Sequence, residues 1–282
     1  MEAEAALGEL GRFAPGLPKI SDGQQLFLLN GLSKLAQNGK MAIIQNGSPL
    51  FSGDAGSGPS CIRQYILEND WLDAIIQLST DQFMNTGIST YIWVLSKDKP
   101  DYRAGKVQLI DASHCCEPRR KNIGTKRNDI TDLCRGLIVR AYGEYRDGAV
   151  YGDKGGVYCE SKVFGSEEFG YNKIVVERPL RDEQGKIVLK KGKPVADPAL
   201  RDTENVPLVQ DIDYYFRREV LPYAPDAWID YKKTKVGYEI PMTRYFYEYQ
   251  PPEPVEDIVE RITALEADIA ASLKALFHEE GE

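Results

Sequence analysis

The stretch MAIIQNGSPLFSGDAGSGPSCIRQYI, residues 41–66, joins a short apolar strand to a helical pattern through a loop with four glycines. A strand, a glycine loop and a helix in this order are typical of sites that hold phosphate groups. The loop lacks both the Gly-Lys-Ser/Thr ending and the G-x-G-x-x-G spacing of nucleotide-binding loops. Three uses stay open for it: a nucleotide site at 53–58, the wall of another ligand cleft, and a plain mobile loop.

Residues that would support metal or nucleophilic chemistry are few. His114, Cys115 and Cys116 are contiguous, and no second Cys or His pair lies at the spacing of a zinc finger. The other histidine is His278, so a Ser-His-Asp or Cys-His mechanism has little to work with. The sequence therefore predicts no metal site.

The composition limits the function classes. The 282 residues carry a net charge of −8, whereas a stand-alone nucleic-acid binder usually has a basic balance. Any contact with DNA or RNA must then be local or shared with a partner. The five cysteines show no paired spacing, and the sequence contains neither a signal peptide nor an apolar run of about 18 residues. These features predict a cytoplasmic protein with reduced thiols and no membrane contact.

One short segment runs against the acidic balance. PRRKNIGTKR, residues 118–127, holds five basic residues in ten. It is either a solvated loop or a set of contacts to a DNA backbone. The candidate side chains are Arg119, Arg120, Lys121, Lys126 and Arg127.

The elements that would position these residues alternate along the chain. One helical pattern follows an N-cap at 21–22 and runs to about 36, and another, after the glycine loop, is lined by Ile62 and Ile66 and ends near 69. They alternate with short apolar strands at 41–44, 72–78, 90–95 and 107–110, which predicts an α/β fold with a mainly parallel sheet. The short connection at 80–89 favours an antiparallel strand after it. A further helix is expected near 130–141, loops up to about 160, a strand at 171–177, and a hairpin with an extended loop at 181–205.

Near the end of the chain, apolar residues follow a heptad seam of about three repeats. Either the helix packs on its own domain or it docks a partner chain. The preceding Pro-rich segment favours a helix set apart from the core. The residues of the seam are Ile258, Ile262, Leu265, Ile269 and Leu276.

Several segments together resemble one family. They are LPKISDGQQLFLLNGLSKL (17–35), GKMAIIQNGSPLFSGDAGSG (39–58), RQYILENDWLDAIIQLSTDQFMNTGISTYIWVLSKDK (63–99), FGYNKIVVERPLR (169–181) and the run from 202 to 247. The chain resembles the modification subunit of type I restriction–modification systems, an adenine-N6 DNA methyltransferase that uses S-adenosylmethionine.

The resemblance implies a fold and a division of the chain. The fold is the second half of a class I S-adenosylmethionine-dependent methyltransferase (Rossmann-like) sheet, followed by an α-rich C-terminal extension. Residues 1–112 are the C-terminal half of the methyltransferase domain. Residues 113–180 close that domain, and 181–282 are the extension with a docking helix at about 253–280.

The sequence departs from the family pattern at the catalytic motif. It contains no Asn-Pro-Pro, and no glycine turn has the strands that a cofactor site requires on either side. The resemblance places residue 1 just past the catalytic tetrapeptide. We therefore expect no catalytic residue in this chain, no tight binding of S-adenosylmethionine, and no methyl transfer by the chain alone.

Some residues of the target-base pocket are implied to remain. Phe83, in DQFMNTGIST, matches an aromatic residue that stacks on the flipped adenine; the alternative is a buried anchor. The glycine loop comes to the carboxyl end of the sheet, where it would line the adenine pocket or the DNA cleft. Its candidate residues are Asn46, Gly47, Ser48, Pro49, Gly53 and Asp54.

The resemblance also implies partners. A separate specificity subunit would read the DNA sequence, the heptad helix would dock that subunit, and a restriction subunit would join for cleavage. An alternative from another class is a non-catalytic scaffold that binds the specificity subunit, DNA or both.

Overall fold

The structure, a computed structural model, describes residues 2–249 and 251–278. The chain forms two compact units, Met1–Met242 and Thr243–Glu282. The strands, in chain order, are β1 Lys40–Asn46, β2 Leu72–Leu78, β3 Thr90–Ser96, β4 Lys106–Ala112, β5 Glu117–Ile123, β6 Lys126–Asp129, β7 Ala149–Gly152, β8 Tyr158–Gly165, β9 Gly170–Glu177, β10 Leu189–Lys190, β11 Lys193–Pro194, β12 Asp202–Pro207, β13 Trp228–Ile229 and β14 Lys235–Tyr238. The α-helices are α1 Glu2–Ala5, α2 Gln24–Lys34, α3 Ser48–Phe51, α4 Gly58–Glu68, α5 Asp132–Glu144, α6 Ile212–Tyr215, α7 Met242–Phe246 and α8 Val255–His278.

The central sheet has the strand order β1-β3-β2-β4-β8-β7. β3 lies between β1 and β2 and is antiparallel to both, which confirms the antiparallel strand expected after the short connection. Among the described strands of this sheet, only β2 and β4 are parallel neighbours, so the expectation of a mainly parallel sheet is wrong. Two features cause this: β3 is inserted between β1 and β2, and β7 and β8, expected as loops, form a hairpin whose second strand is antiparallel to β4.

Two helical layers cover this sheet. β2 is buried on both faces, as its nearly continuous apolar sequence requires. Ile76 and Ile110 pack under α5 with one core cluster. Their neighbours Ile75 and Leu109 point to the opposite face, where α2 packs on β1 and on α4.

A second, smaller sheet is built around β9. β12, β13 and β14 all pair antiparallel with β9, and the strand expected at 171–177 is therefore confirmed. Ile174 and Val176 face a separate core with Phe216 and Val220. This sheet is joined to the glycine loop region, because the Tyr238 backbone N–H donates to Ser60 Oγ at 2.9 Å.

The basic segment is a β-hairpin. β5 pairs antiparallel with β6, and Gly124, with φ +59°, lies in the turn between them. A left-handed residue at this point favours glycine because a side chain would be strained there. The hairpin expected within 181–205 is present as β10 and β11.

The expected C-terminal helix is present as α8, 24 residues long. Its apolar side chains Val255, Ile262, Leu265 and Ile269 are all more than half exposed, and Ile258 is half-buried. Leu276 lies within α8, but its side chain is outside the described residues. In the part of the chain that the structure describes, no helix is both long and apolar enough to cross a membrane.

Candidate functional site

β1, β2 and β4 run in the same direction, so their carboxyl ends meet at one edge of the central sheet. Each continues into a segment with candidate residues: the glycine loop (47–57) after β1, the Phe83 loop (79–89) after β2, and the basic hairpin (117–129) after β4. Ligands of open α/β sheets bind at this edge. The topology thus brings three separate sequence candidates to one side of the molecule.

The Phe83 loop holds its aromatic residue at the surface. Phe83 is 37% exposed, and Met84 and Ile88 beside it are more than half exposed. Asp81 and Asn85 on either side both have left-handed backbones, with φ +58° and +67°, a conformation that Asn and Asp tolerate better than most residues. Part of the ring is therefore open to a ligand, and its stacking role stays a prediction.

The basic hairpin is fixed to the Phe83 loop by hydrogen bonds. The backbone N–H groups of Arg127 and Asn128 donate to the Asp81 carbonyl at 3.0 and 3.2 Å. Thr125 Oγ1 donates to the Phe83 carbonyl at 3.4 Å, and Asn128 Nδ2 donates to the Thr80 carbonyl at 3.0 Å. The two segments form one structural platform.

The five basic candidates divide into two groups. Arg119 Nη1 donates to both oxygens of Asp129, at 2.5 and 2.6 Å, and Lys126 Nζ lies 3.1 Å from Asp129 Oδ1. Hydrogen bonds from Lys126 and Arg119 hold the pKa of Asp129 below its usual range. Arg120, Lys121 and Arg127 are exposed and form no ion pair with the described residues. These three are available to an anionic ligand.

Backbone N–H groups of the glycine loop already have hydrogen-bond partners within the protein. The N–H of Ala55 donates to Asp54 Oδ1 at 2.8 Å, that of Gly56 to the Val236 carbonyl at 3.2 Å, and that of Ser57 to the Asp54 carbonyl at 2.9 Å. These N–H groups are not free to cradle a phosphate in the way a nucleotide-binding loop does. The geometry therefore argues against a nucleotide site in this loop, and its role as a cleft wall stays a prediction.

The six candidates on the glycine loop differ in exposure. Gly53 and Asp54 are exposed, Asn46, Gly47 and Ser48 are partly buried, and Pro49 is buried. The Asn46 carbonyl Oδ1 accepts from the Ser48 N–H at 2.9 Å, and Ser48 Oγ donates to Asp22 at 2.6 Å. Gly53 and Asp54 are thus the residues of this set that most readily meet a ligand.

Arg63 holds the glycine loop in place, a role that sequence reasoning missed. It lies on α4 and is 1% exposed; Nη1 donates to the Pro49 carbonyl at 3.0 Å and Nε to the Tyr238 carbonyl. Burial lowers the pKa of Arg63 to about 10. No local pattern distinguishes this arginine from a surface one, because its partners are backbone carbonyls far away in the sequence.

Side chains of the types that ligate metal ions do not cluster in the described part of the chain. There, no group of three or more His, Cys, Asp and Glu is placed to hold a metal ion. Cys115, Cys134 and Cys159 are free thiols, but all three are buried in the core between α5, which carries Cys134, and the sheet. His114 is exposed and stacks on Tyr158, with the ring centroids 4.8 Å apart.

Comparison with known proteins shows which family the chain belongs to. Residues 3–161, more than half of the chain, match the N-6 DNA methylase family. The chain belongs to this family. The resemblance to type I modification subunits is confirmed by the relatives of this chain. It is 30% identical over 114 residues to the type I restriction enzyme MjaIX methylase subunit of Methanocaldococcus jannaschii, which is 40% of this chain and 20% of that protein.

A second relative is the type I restriction enzyme HindI methylase subunit of Haemophilus influenzae, 30% identical over 107 residues, which is 38% of this chain and 23% of the relative. Among solved structures, the chain is similar to a type I methyltransferase subunit from Streptococcus thermophilus, with a TM-score of 0.48 and 29% identity over 59% of this chain and 32% of that one. The matched region is about a fifth of the length of the curated relatives.

Proposed function

We propose that this chain is the C-terminal portion of the DNA-modification subunit of a type I restriction–modification system. The parent enzyme transfers a methyl group from S-adenosylmethionine to adenine N6 in DNA. The observation that carries the proposal is the match of residues 3–161 to the N-6 DNA methylase family. The antiparallel β3 beside β1 and β2 supports the assignment of the central sheet to the second half of a class I methyltransferase sheet.

In this proposal the Phe83 platform faces the target nucleotide. The adenine leaves the duplex at a cost of a few kcal/mol, and stacking on Phe83 offsets about 1–3 kcal/mol of it. Arg120, Lys121 and Arg127 neutralise phosphates of the same DNA segment. The hairpin and the Phe83 loop are hydrogen-bonded to each other, so contacts of the hairpin with the DNA backbone also fix the position of the Phe83 ring.

The residues near the glycine loop do not fit the cofactor. A cavity of about 640 Å³ lies against the loop, and no aromatic residue lines it to stack on the adenine ring of S-adenosylmethionine. Its Asp22 carboxylate already accepts hydrogen bonds from Ser48 Oγ at 2.6 Å and Gln24 Nε2 at 3.1 Å. We therefore assign the cofactor to the preceding half of the parent subunit and none of its chemistry to this chain.

The partners follow from the same assignment. α8 docks the specificity subunit through its exposed apolar face, and a restriction subunit joins the complex in the cytoplasm. The lack of an Asn-Pro-Pro motif and the exposed face of α8 also favour the second candidate function, a non-catalytic scaffold for the specificity subunit and DNA.

A methylation assay separates the two functions. The purified chain, with its mass verified, is incubated with duplex DNA and radiolabelled S-adenosylmethionine, alone and with a polypeptide that carries the glycine turn and Asn-Pro-Pro-Phe. We expect N6-methyladenine only in the second mixture. Methylation by the chain alone would overturn its proposed inactivity. The non-catalytic scaffold would remain as the function if neither mixture is methylated and the DNA upstream of the gene contains a stop codon and no such motif.

A further inference from the structure

A lysine cleft lies between the glycine loop and the second sheet. It is a cavity of about 420 Å³, and Lys173, Lys232, Lys233 and Lys235 contribute four ammonium groups to its lining. Asp54 and Thr203 also line it. The residues come from β9, β12, β14, the turn at 231–233 and the glycine loop, so the cleft is visible only in the fold.

Two of these lysines face each other in a manner that is unfavourable for stability. Lys173 on β9 is directly opposite Lys235 on β14 in the antiparallel register. Like charges at such positions destabilise a sheet pair. The glycine loop brings Asp54 to this pair: Lys173 Nζ donates to both carboxylate oxygens at 2.8 Å, and the charge of Lys235 also acts on Asp54. The loop is held there by the bond from Gly56 N–H to the Val236 carbonyl.

The carboxylates near the cleft pair with only some of its lysines. Glu177 Oε1 forms ion pairs with Arg201 Nε at 2.9 Å and with Lys233 Nζ at 2.8 Å, and Lys233 also pairs with Asp230. Lys232 and Lys235 are exposed and form no ion pair with the part of the chain that the structure describes. The Asp54 side chain is 65% exposed, and an exposed ion pair contributes about 0–1 kcal/mol, so an incoming anion displaces it at little cost.

We propose that this lysine cleft is a second DNA-backbone site, in which Lys232, Lys235 and Lys173 hold phosphates and Asp54 occupies the place of a phosphate until DNA binds. The inference rests on the proposed function for the choice of DNA as the polyanion. It gives the glycine loop a role as a wall of the DNA cleft and as the carrier of a displaceable carboxylate. Together with the basic hairpin, the cleft provides positive charge at two places beside the same sheet edge in a chain of net charge −8.

The test measures how binding of duplex DNA depends on salt concentration. Fluorescence anisotropy of a labelled duplex of about 24 base pairs reports binding at several KCl concentrations. Each phosphate contact contributes about 0.9 to the slope of log affinity against log salt. We expect Lys232→Gln with Lys235→Gln to lower the slope by about 2 and to weaken binding about tenfold at low salt. Asp54→Asn leaves no carboxylate for a phosphate to displace, so we expect it to tighten binding about threefold while the slope stays that of the wild-type chain.

Two matched controls lie at the opposite edge of the central sheet. Lys34→Gln with Lys40→Gln, at the end of α2 and the start of β1, and Asp98→Asn, just after β3, remove the same numbers of charges there, and we expect both to leave the slope and the affinity unchanged. Thermal melts verify that every variant is folded. An unchanged slope in the double lysine variant, or no duplex binding by the wild-type chain at low salt, would overturn the lysine cleft.

A separate measurement distinguishes DNA from a free anion. Potassium phosphate replaces KCl at equal ionic strength, and displacement of the duplex by millimolar phosphate would indicate a small-anion site in place of the DNA site. The proposed methylation function survives either failure, because the reconstituted methylation assay does not depend on this cleft.

Discussion

The Arg127 backbone N–H donates a hydrogen bond of 3.0 Å to the Asp81 carbonyl, two residues before Phe83. This bond joins the strongest basic segment of the sequence to the aromatic loop at the carboxyl edge of the central sheet. Asp81 has a left-handed backbone, which turns its carbonyl group toward the hairpin side of the loop. Residues that are separated by more than 40 positions in the chain therefore act as one surface.

The division of the basic hairpin into paired and exposed cations gives the first prediction. Arg120→Gln, Lys121→Gln and Arg127→Gln each lower the slope of log affinity against log salt for duplex DNA by about 0.9, because each removes a phosphate contact. Arg119→Gln changes the slope less, since its guanidinium is engaged by both oxygens of Asp129. Anisotropy titrations of the four variants provide the measurement. Equal effects of Arg119→Gln and Arg120→Gln would contradict the division.

The second prediction concerns the aromatic ring. In the reconstituted enzyme, Phe83→Ala weakens binding of a duplex with a mismatched target adenine by about 1–3 kcal/mol, because the extruded base loses its stacking partner. Phe83→Tyr keeps the ring and retains most of the affinity. Fluorescence of 2-aminopurine at the target position reports extrusion directly.

Ile88→Ala is the control for this experiment, since Ile88 is an exposed apolar residue of the same loop. We expect it to leave the 2-aminopurine signal unchanged. The stacking role is refuted by a Phe83→Ala enzyme with wild-type extrusion and turnover.

Local sequence patterns were sufficient for much of the fold. The apolar run at 72–78 predicts a buried strand, and β2 is buried on both faces. The ten-residue connection before β3 predicts its antiparallel direction, as the pairing confirms. The prediction failed at β7 and β8, where Gly and Asp residues favour loops locally but the pairing of β8 with β4 overrides that preference.

The candidate site was less predictable than the fold. Residue types alone indicated Phe83, the glycine loop and the basic segment, yet not that the hairpin is hydrogen-bonded to the Phe83 loop. Lys173 and Lys235 are separated by 61 intervening positions, and only the register of β9 and β14 places them opposite each other. Long-range pairing of this kind leaves no local signal in one sequence.

The third prediction concerns α8. Ile262→Glu with Leu265→Glu abolishes binding of the chain to the specificity subunit, because two charges enter an apolar helix interface. Both side chains are more than half exposed, so the thermal midpoint of the free chain stays within a few degrees. Isothermal titration with the purified specificity subunit measures the loss.

Glu260→Lys is the control for α8, since residue 260 lies on the other side of the helix from the apolar seam. We expect it to retain binding. Sedimentation of the free chain identifies a competing role, because a concentration-dependent dimer that the double substitution dissolves would assign the seam to self-association.

The fourth prediction concerns Glu177, whose side chain is 2% exposed and pairs with Arg201 and Lys233. Burial acts to raise the pKa of Glu177, but the hydrogen bonds from Arg201 and Lys233 outweigh it and lower the pKa below its ordinary value. A lowered carboxylate pKa stabilises the fold above the unfolded-state pKa of about 4.3, and this contribution is lost as the pH falls through the folded-state pKa. Glu177→Gln therefore lowers the free energy of unfolding by about 1–3 kcal/mol at pH 7 and by progressively less below about pH 4.

Urea titrations followed by tryptophan fluorescence measure this difference, because Trp228 is the strand partner of Glu177 in the β13–β9 pair. Glu183→Gln, at an exposed position of the neighbouring loop, is the control, and we expect it to leave the free energy of unfolding at pH 7 unchanged. A deficit in the Glu177→Gln variant that is equally large at pH 7 and pH 3.5 would show that packing, and not the charge of the carboxylate, accounts for the loss. The Glu177 carboxylate also forms an ion pair with Lys233, which lines the lysine cleft. If Glu177→Gln has the wild-type free energy of unfolding but an altered affinity for DNA, then Glu177 serves the cleft and not the stability of the fold.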